Sequence, residues 1–230
     1  METFADRAIA YYLGLKEPEN LPSGVSALNP YRQPEVQTIV KQFFTTYFSD
    51  NAPRVYILGI NPGRFGAGVT GISFTTPQNL QKYCGIDNNL PPSPELSSRF
   101  IYQIVEAFGG AKAFYGQFFL TSLYPLALVK DGKNSNFYDD KATTATLWPA
   151  IADTVRTQLL FDQSGQETNR RVAVCLGRKN EAFFQKLNKE HRFFDRIVTL
   201  DHPRYILQYR SRDIESYVDR YMRTLADCLS

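Results

Sequence analysis

Apolar residues fall along this chain in two kinds of run. In the first they recur at spacings of three and four, the period of a helix with one buried face. Thr3 to Leu15 and Glu35 to Phe48 read this way, the second through Val36, Ile39, Val40, Phe43, Phe44 and Phe48. Ser97 to Phe108, Asn180 to Lys189 and Asp213 to Cys228 are further helices, and Gly109-Gly110 closes the first of them. Thr144 to Leu160 reads as a helix interrupted near Trp148-Pro149. In the second kind the run is short and continuous, and the first of these, Arg54–Ile60, is β-branched and apolar, as in a strand buried on both faces of a parallel sheet. There are four: Arg54–Ile60, Gln117–Thr121, Arg171–Gly177 and Arg196–Leu200.

Between these runs lie turn-forming stretches. Pro18 and Leu21-Pro22-Ser23-Gly24 end the first helix, and Asn29-Pro30-Tyr31-Arg32 is a turn. Ser164 to Asn169 is a loop. Asn61 to Pro94 is rich in Gly, Pro and Asn and too long for a simple connector, so it is either functional or partly mobile. Strands alternating with helices predict parallel βα units. The expected architecture is α/β, a three-layer α/β/α sandwich around a four-stranded parallel sheet. Neither an internal repeat nor a linker divides the 230 residues, so one domain is expected over 1–230, with helical residues 1–50 packed on it.

Composition changes this picture little. Hydrophobic residues at 43% and charged residues at 21% are ordinary for a globular chain and suffice for a sizeable core. The formal charge of +3 permits a polyanionic partner without demanding one, but the basic residues crowd into the C-terminal third, a candidate phosphate-facing surface. Cys84, Cys175 and Cys228 are far apart, with no CxxC spacing, so no metal site is expected and Cys175 belongs to the core. No basic, apolar leader opens the chain and no apolar stretch is long enough to span a bilayer, so a cytoplasmic protein is expected, with no membrane partner.

In open parallel sheets ligands bind beyond the carboxyl ends of the strands. Those ends run here into Asn61-Pro62-Gly63, Ser122-Leu123-Tyr124-Pro125, Gly177-Arg178-Lys179-Asn180 and Asp201-His202-Pro203-Arg204. Gly-x-Asn-Pro-Gly or His-Pro alone is ordinary turn chemistry, but together, at matching ends of parallel strands, they define one crevice. No Gly-Lys-Ser/Thr follows Gly63, Gly59-x-x-x-Gly63 is no dinucleotide fingerprint, and no Gly-x-Ser-x-Gly elbow occurs.

The run from Gly59 to Phe74, GINPGRFGAGVTGISF, resembles the first active-site motif of the single-strand-selective monofunctional uracil-DNA glycosylases. The resemblance continues through Ser98-Arg99-Phe100, Phe118 to Leu126, Gly177-Arg178 and His202-Pro203, and spans the chain from about Arg54 to the closing helix. It implies that Asn61 positions the attacking water, that Phe74 stacks on a flipped base, and that His202 bonds the base oxygen as negative charge builds there. It implies too that backbone around Gly59, Ile60 and Gly63 lines the water and base site. Such chemistry needs no strong nucleophile: stabilising the departing base is the main requirement, and the base must first leave the stack.

Two departures stand out. The family carries Asn where Ser122 stands and His where Thr121 stands, so base choice is expected to be broader or shifted. His-Pro-Ser-Pro is replaced by His202-Pro203-Arg204-Tyr205, so the wedge that enters the duplex is built differently; Tyr205, Ile206, Leu207 and Tyr209 are candidates. Arg64, Arg178, Lys179, Arg204, Arg210 and Arg212 are candidate DNA contacts, with Tyr205 beside them. The leading expectation is a monofunctional DNA glycosylase acting on uracil or a related damaged base, without metal or cofactor, working as a monomer on DNA. Two alternatives stay open: a glycosylase-like module that holds DNA or a nucleotide without cutting, and an unrelated α/β enzyme on a small nucleoside or nucleotide.

Overall fold

The computed structural model describes residues 2–162 and 171–230; the expected loop at Ser164 to Asn169 lies outside the described residues. In chain order the elements are α1 (Phe4–Leu13), β1 (Val25–Leu28), α2 (Pro34–Tyr47), β2 (Val55–Gly59), α3 (Ala67–Thr70) and α4 (Pro77–Cys84). Then come α5 (Leu96–Ala107), α6 (Ala111–Tyr115), β3 (Phe118–Ser122), β4 (Ala127–Lys130) and β5 (Lys133–Ser135). The chain closes with α7 (Lys141–Gln158), β6 (Val172–Leu176), α8 (Arg178–His191), β7 (Arg196–Leu200), α9 (Pro203–Tyr209) and α10 (Ile214–Asp227).

The four expected strands form one parallel sheet in the order β3-β2-β6-β7. Helices flank it, as the three-layer reading requires. The chain passes from β2 to β3 on one side and returns to β6 on the other, so the strand order reverses between β2 and β6. Such a switch point splays the loops apart at the carboxyl ends and opens a crevice. Gly59 pairs with Ser122 and Leu176 with Leu200, so the strand ends are level.

The core is aromatic. Phe4 of α1 stacks on Phe48 and meets Phe119 of β3 edge-on, which fixes the N-terminal helix against the sheet. Arg54 is buried beneath the same rings, with its guanidinium bonded to Asp50. Thr3 opens α1 with a reciprocal capping box to Asp6.

Three expectations need correction. α7 runs unbroken through Pro149. Proline removes one N–H donor, but Leu147, Ile151, Ala152 and Val155 bury the face on either side and hold the helix together. The stretch Asn61 to Pro94 contains two helices, and α4 carries full boundary signals: Thr76 as cap, Pro77 in the first turn and Gly85 in the left-handed region at φ 63°. A second, antiparallel sheet, β1-β4-β5, stands beside the main one. Its strands are three or four residues long, and it brings Ser135 to the crevice.

Candidate active site

The crevice is a cleft of about 400 Å³. Of the residues singled out in the sequence, Ile60, Asn61, Gly63, Phe74, Ser122, His202 and Arg204 all line it.

Asn61 leaves β2 and is held by the second sheet. Its Nδ2 donates to the carbonyls of Ser135 at 3.1 Å and Pro62 at 3.2 Å, and its Oδ1 accepts from the backbone N–H of Phe137 at 3.1 Å. Backbone donors and acceptors thus set which way the amide faces. Both amide hydrogens are used and one lone pair of Oδ1 stays open, so this group can accept a hydrogen bond from a water but has no donor left for one.

Phe74 lies across the sheet end. Its backbone is left-handed at φ 53°, a conformation costing a bulky residue about 1–3 kcal/mol. The Thr70 hydroxyl donates to the Thr75 carbonyl at 2.7 Å and accepts from Ile72 N–H, clamping the turn. A Cβ at position 59 would lie 2.9 Å from the Phe74 ring, so Gly59 is what lets the ring settle on the strand end.

His202 caps α9. Its Nδ1 accepts from Arg204 N–H at 3.1 Å, which leaves the proton of the neutral ring on Nε2. Burial, with the nearby Arg204 charge, lowers its pKa from 6.5 to about 4, so the ring is a neutral Nε2–H donor at physiological pH. Its centroid lies 6.1 Å from that of Phe74. Gly177, at φ 108°, brings the end of β6 against it; a Cβ there would lie 3.3 Å from that of His202.

Ser122 is buried and faces the Gly59 side of the cleft, and its hydroxyl makes no hydrogen bond to the described residues. Thr121, next to it, points the other way and bonds Tyr12 in the core at 3.0 Å. The strand alternation therefore gives only one of the two departing positions to the cleft.

The candidate DNA contacts divide. Arg178, Lys179 and Tyr205 line a second cavity of about 610 Å³ that shares His202 with the first. Arg178 pairs with Asp201, which also holds Arg220. Arg64 folds over the Phe65 ring and donates to the Gly132 carbonyl. Arg210 bonds the Tyr205 hydroxyl at 3.3 Å, and Arg212 lines neither cavity. Among the wedge candidates, Ile206 is wrong: it is fully buried, because α9 turns it toward α5. Tyr205 and Tyr209 are 40% and 65% exposed. The sequence reading missed Glu95, Asn134, Phe65 and Leu96, which also line the cleft; Phe65 and Leu96 are exposed apolar side chains. Among the described residues no cluster of His, Cys, Asp or Glu could hold a metal ion. No helix of the described residues is long and apolar enough to cross a membrane.

A parallel sheet with a fixed amide, an aromatic platform and a neutral imidazole around one cleft defines a class of base-excising enzyme. The family model of the uracil DNA glycosylase superfamily matches residues 45–226, and the chain belongs to that superfamily. It is a DNA glycosylase of the base-excision type, for uracil or a related damaged base. Its structure is similar to the crystal structure of wild-type SMUG2 of Pedobacter heparinus, at 40% identity and a TM-score of 0.92, over 99% of this chain and 98% of that one. No curated protein matches the chain.

Proposed function

We propose that the chain is a catalytically active, monofunctional glycosylase in which Asn61 and His202 carry the chemistry. The observation that supports this most is the pairing across one cleft of an amide with an open acceptor and an imidazole with an open donor. A flipped base would stack on Phe74, with Ser122 and the backbone of Gly59, Ile60 and Gly63 along its edges. As the C1′–N bond breaks, its electron pair moves to the base, and His202 Nε2–H donates to the oxygen where that charge collects. Water held by Asn61 Oδ1 adds to C1′ and loses its proton to solvent. Among the described residues no lysine lines the cleft to form a Schiff base with the sugar, which supports the monofunctional reading.

Arg64, Arg178, Lys179, Arg204, Tyr205, Arg210 and Arg212 would follow the strand outside the cleft. We further propose that residues 1–230 act as one domain and as a monomer. Three free, buried cysteines suit a reducing cytoplasm. The test is a panel of oligonucleotides, each with one lesion, treated with the protein and then with alkali. Strand breaks at the lesion only after alkali are expected; breaks without alkali would overturn the monofunctional reading.

A further inference from the structure

One ionisable group in the cleft is unused by this chemistry. Glu95 precedes α5 and stands at its cap position, yet its side chain makes no capping bond. The carboxyl reaches into the cleft instead. It fills a notch made by two glycines: a Cβ at position 66 would lie 1.9 Å from Oε2, and one at position 63 would lie 3.6 Å from Oε1. Asn134 Nδ2 approaches the same Gly63 position to 3.7 Å. The notch is fastened on both sides, by the Ser93 hydroxyl bonding Phe65 O and by Arg64 N–H donating to Asn134 Oδ1 at 3.0 Å.

Among the described residues the carboxyl receives no hydrogen bond and no ion pair, and Oε2 is out of reach of water. An ionised carboxylate so placed lacks the donors that would replace its hydration, whereas a neutral acid needs one acceptor for its proton. The other titratable groups lining the cleft are His202 and Arg204. His202 is uncharged above about pH 5, given its pKa of about 4. Arg204 works against protonation of Glu95 but is outweighed by burial, and the carboxyl is pushed up from 4.5 to about 7. DNA phosphates brought to the cleft would add negative charge and push it the same way.

We infer that Glu95 is a substrate-positioning residue that acts as a neutral acid, its O–H donating to an oxygen of the bound nucleotide, so that DNA binding takes up one proton. This rests on the glycosylase reading above. The sign follows from linkage. A group that is more protonated in the complex than in the free protein makes binding tighter at low pH and weaker as pH rises through the free value.

The experiment measures Kd by fluorescence anisotropy at constant ionic strength. The probe is a labelled single-stranded oligonucleotide carrying one 2′-fluoro-2′-deoxyuridine, whose glycosidic bond resists cleavage. For the wild type we expect Kd to rise by roughly tenfold between about pH 6.5 and 8.5, within the limit of about tenfold per pH unit for one proton. E95Q keeps a donor at every pH, so it should hold the tight, low-pH affinity across the range. E95A should be equally flat but weaker. A wild type with no pH dependence, or an E95Q variant that keeps the wild-type slope, would overturn the role of Glu95 and leave the glycosylase reading standing. Failure of the wild type to bind the probe at any pH would remove both.

Discussion

The floor of the cleft and its basic rim are built on opposite principles. On the floor, Asn61 has three backbone partners, His202 has its Nδ1 occupied by a backbone N–H, and Phe74 sits in a clamped turn. At the rim, the Arg178 and Lys179 side chains are 74% and 73% exposed, and each meets a single carboxylate, the half-buried Asp201 and the exposed Asp139. Fixed dipoles need no reorganisation when charge develops, so they favour chemistry. Long, exposed cations pair weakly and rearrange easily, which suits a flexible polyanion. Reaction and binding should therefore be separable by mutation.

The largest break in that separation would come at Asn61. Asn61→Ala should slow base release by on the order of 100-fold or more in single-turnover assays, the effect of removing one key polar stabiliser, while DNA binding persists. A variant that binds poorly yet cleaves at the normal rate when saturated would put Asn61 on the binding side.

His202→Ala should follow, with a loss of roughly ten- to a hundredfold in the chemical step and little change in Kd. Because the wild-type ring ionises near pH 4, its contribution should be flat from about pH 5 to 8. The lowered pKa also gives a stability sign: the unfolded chain binds the proton more readily, so stability from this group is present above the unfolded value of 6.5 and is lost as pH falls toward 4. Melting temperatures of wild type and His202→Gln should therefore converge or cross as pH is lowered through that window. A step near pH 6.5 in the saturated wild-type rate that His202→Ala lacks would contradict the neutral ring.

Ser122 sharpens the comparison on the floor itself. A hydroxyl can rotate to donate or accept, so it should tolerate more than one base edge, whereas an amide discriminates through paired bonds. Ser122→Asn should raise uracil release selectively, and its neighbour Thr121 leaves room for the exchange because it faces the core. If wild type already releases uracil alone and efficiently, and the asparagine variant is no better, Ser122 does not read the base.

The smallest effects belong to the rim. Arg178→Ala and Lys179→Ala should each weaken binding a few-fold, flatten the salt slope by about one charge and leave the saturated rate unchanged. A fall in the saturated rate would show that the rim also shapes the floor.

How much of this was legible in the sequence follows from burial. β2, β3 and β6 are buried almost throughout, so their runs stand out without any tertiary information, and the edge strand β7, half-buried, still shows as a short run through Ile197, Val198 and Leu200. β1, β4 and β5 are only three or four residues long, and β1 pairs with a strand about a hundred positions away, as Val25 joins Lys130. The roles of Asn61 and His202 could be expected from motif and strand ends, but the partners that orient Asn61 lie 74 and 76 residues further along, at the end of that unseen sheet and just beyond it. Ile206 looked like a wedge because α9 is a short helix after a proline, with too few residues to show a period. Glu95 was invisible: one acid in a proline-rich loop carries no signal until the glycines at 63 and 66 are seen to make room for it.

On this mechanism the floor of the cleft cuts the glycosidic bond. Chromatography of the free base released from a single-uracil oligonucleotide, by saturating wild type and by Asn61→Ala side by side, tests it most directly. Free uracil is expected from the wild type in an amount equal to the abasic strand formed, with intact substrate still bound to the variant. A wild type that binds the oligonucleotide tightly and releases no base would contradict it, and would make the chain a module that holds DNA without cutting.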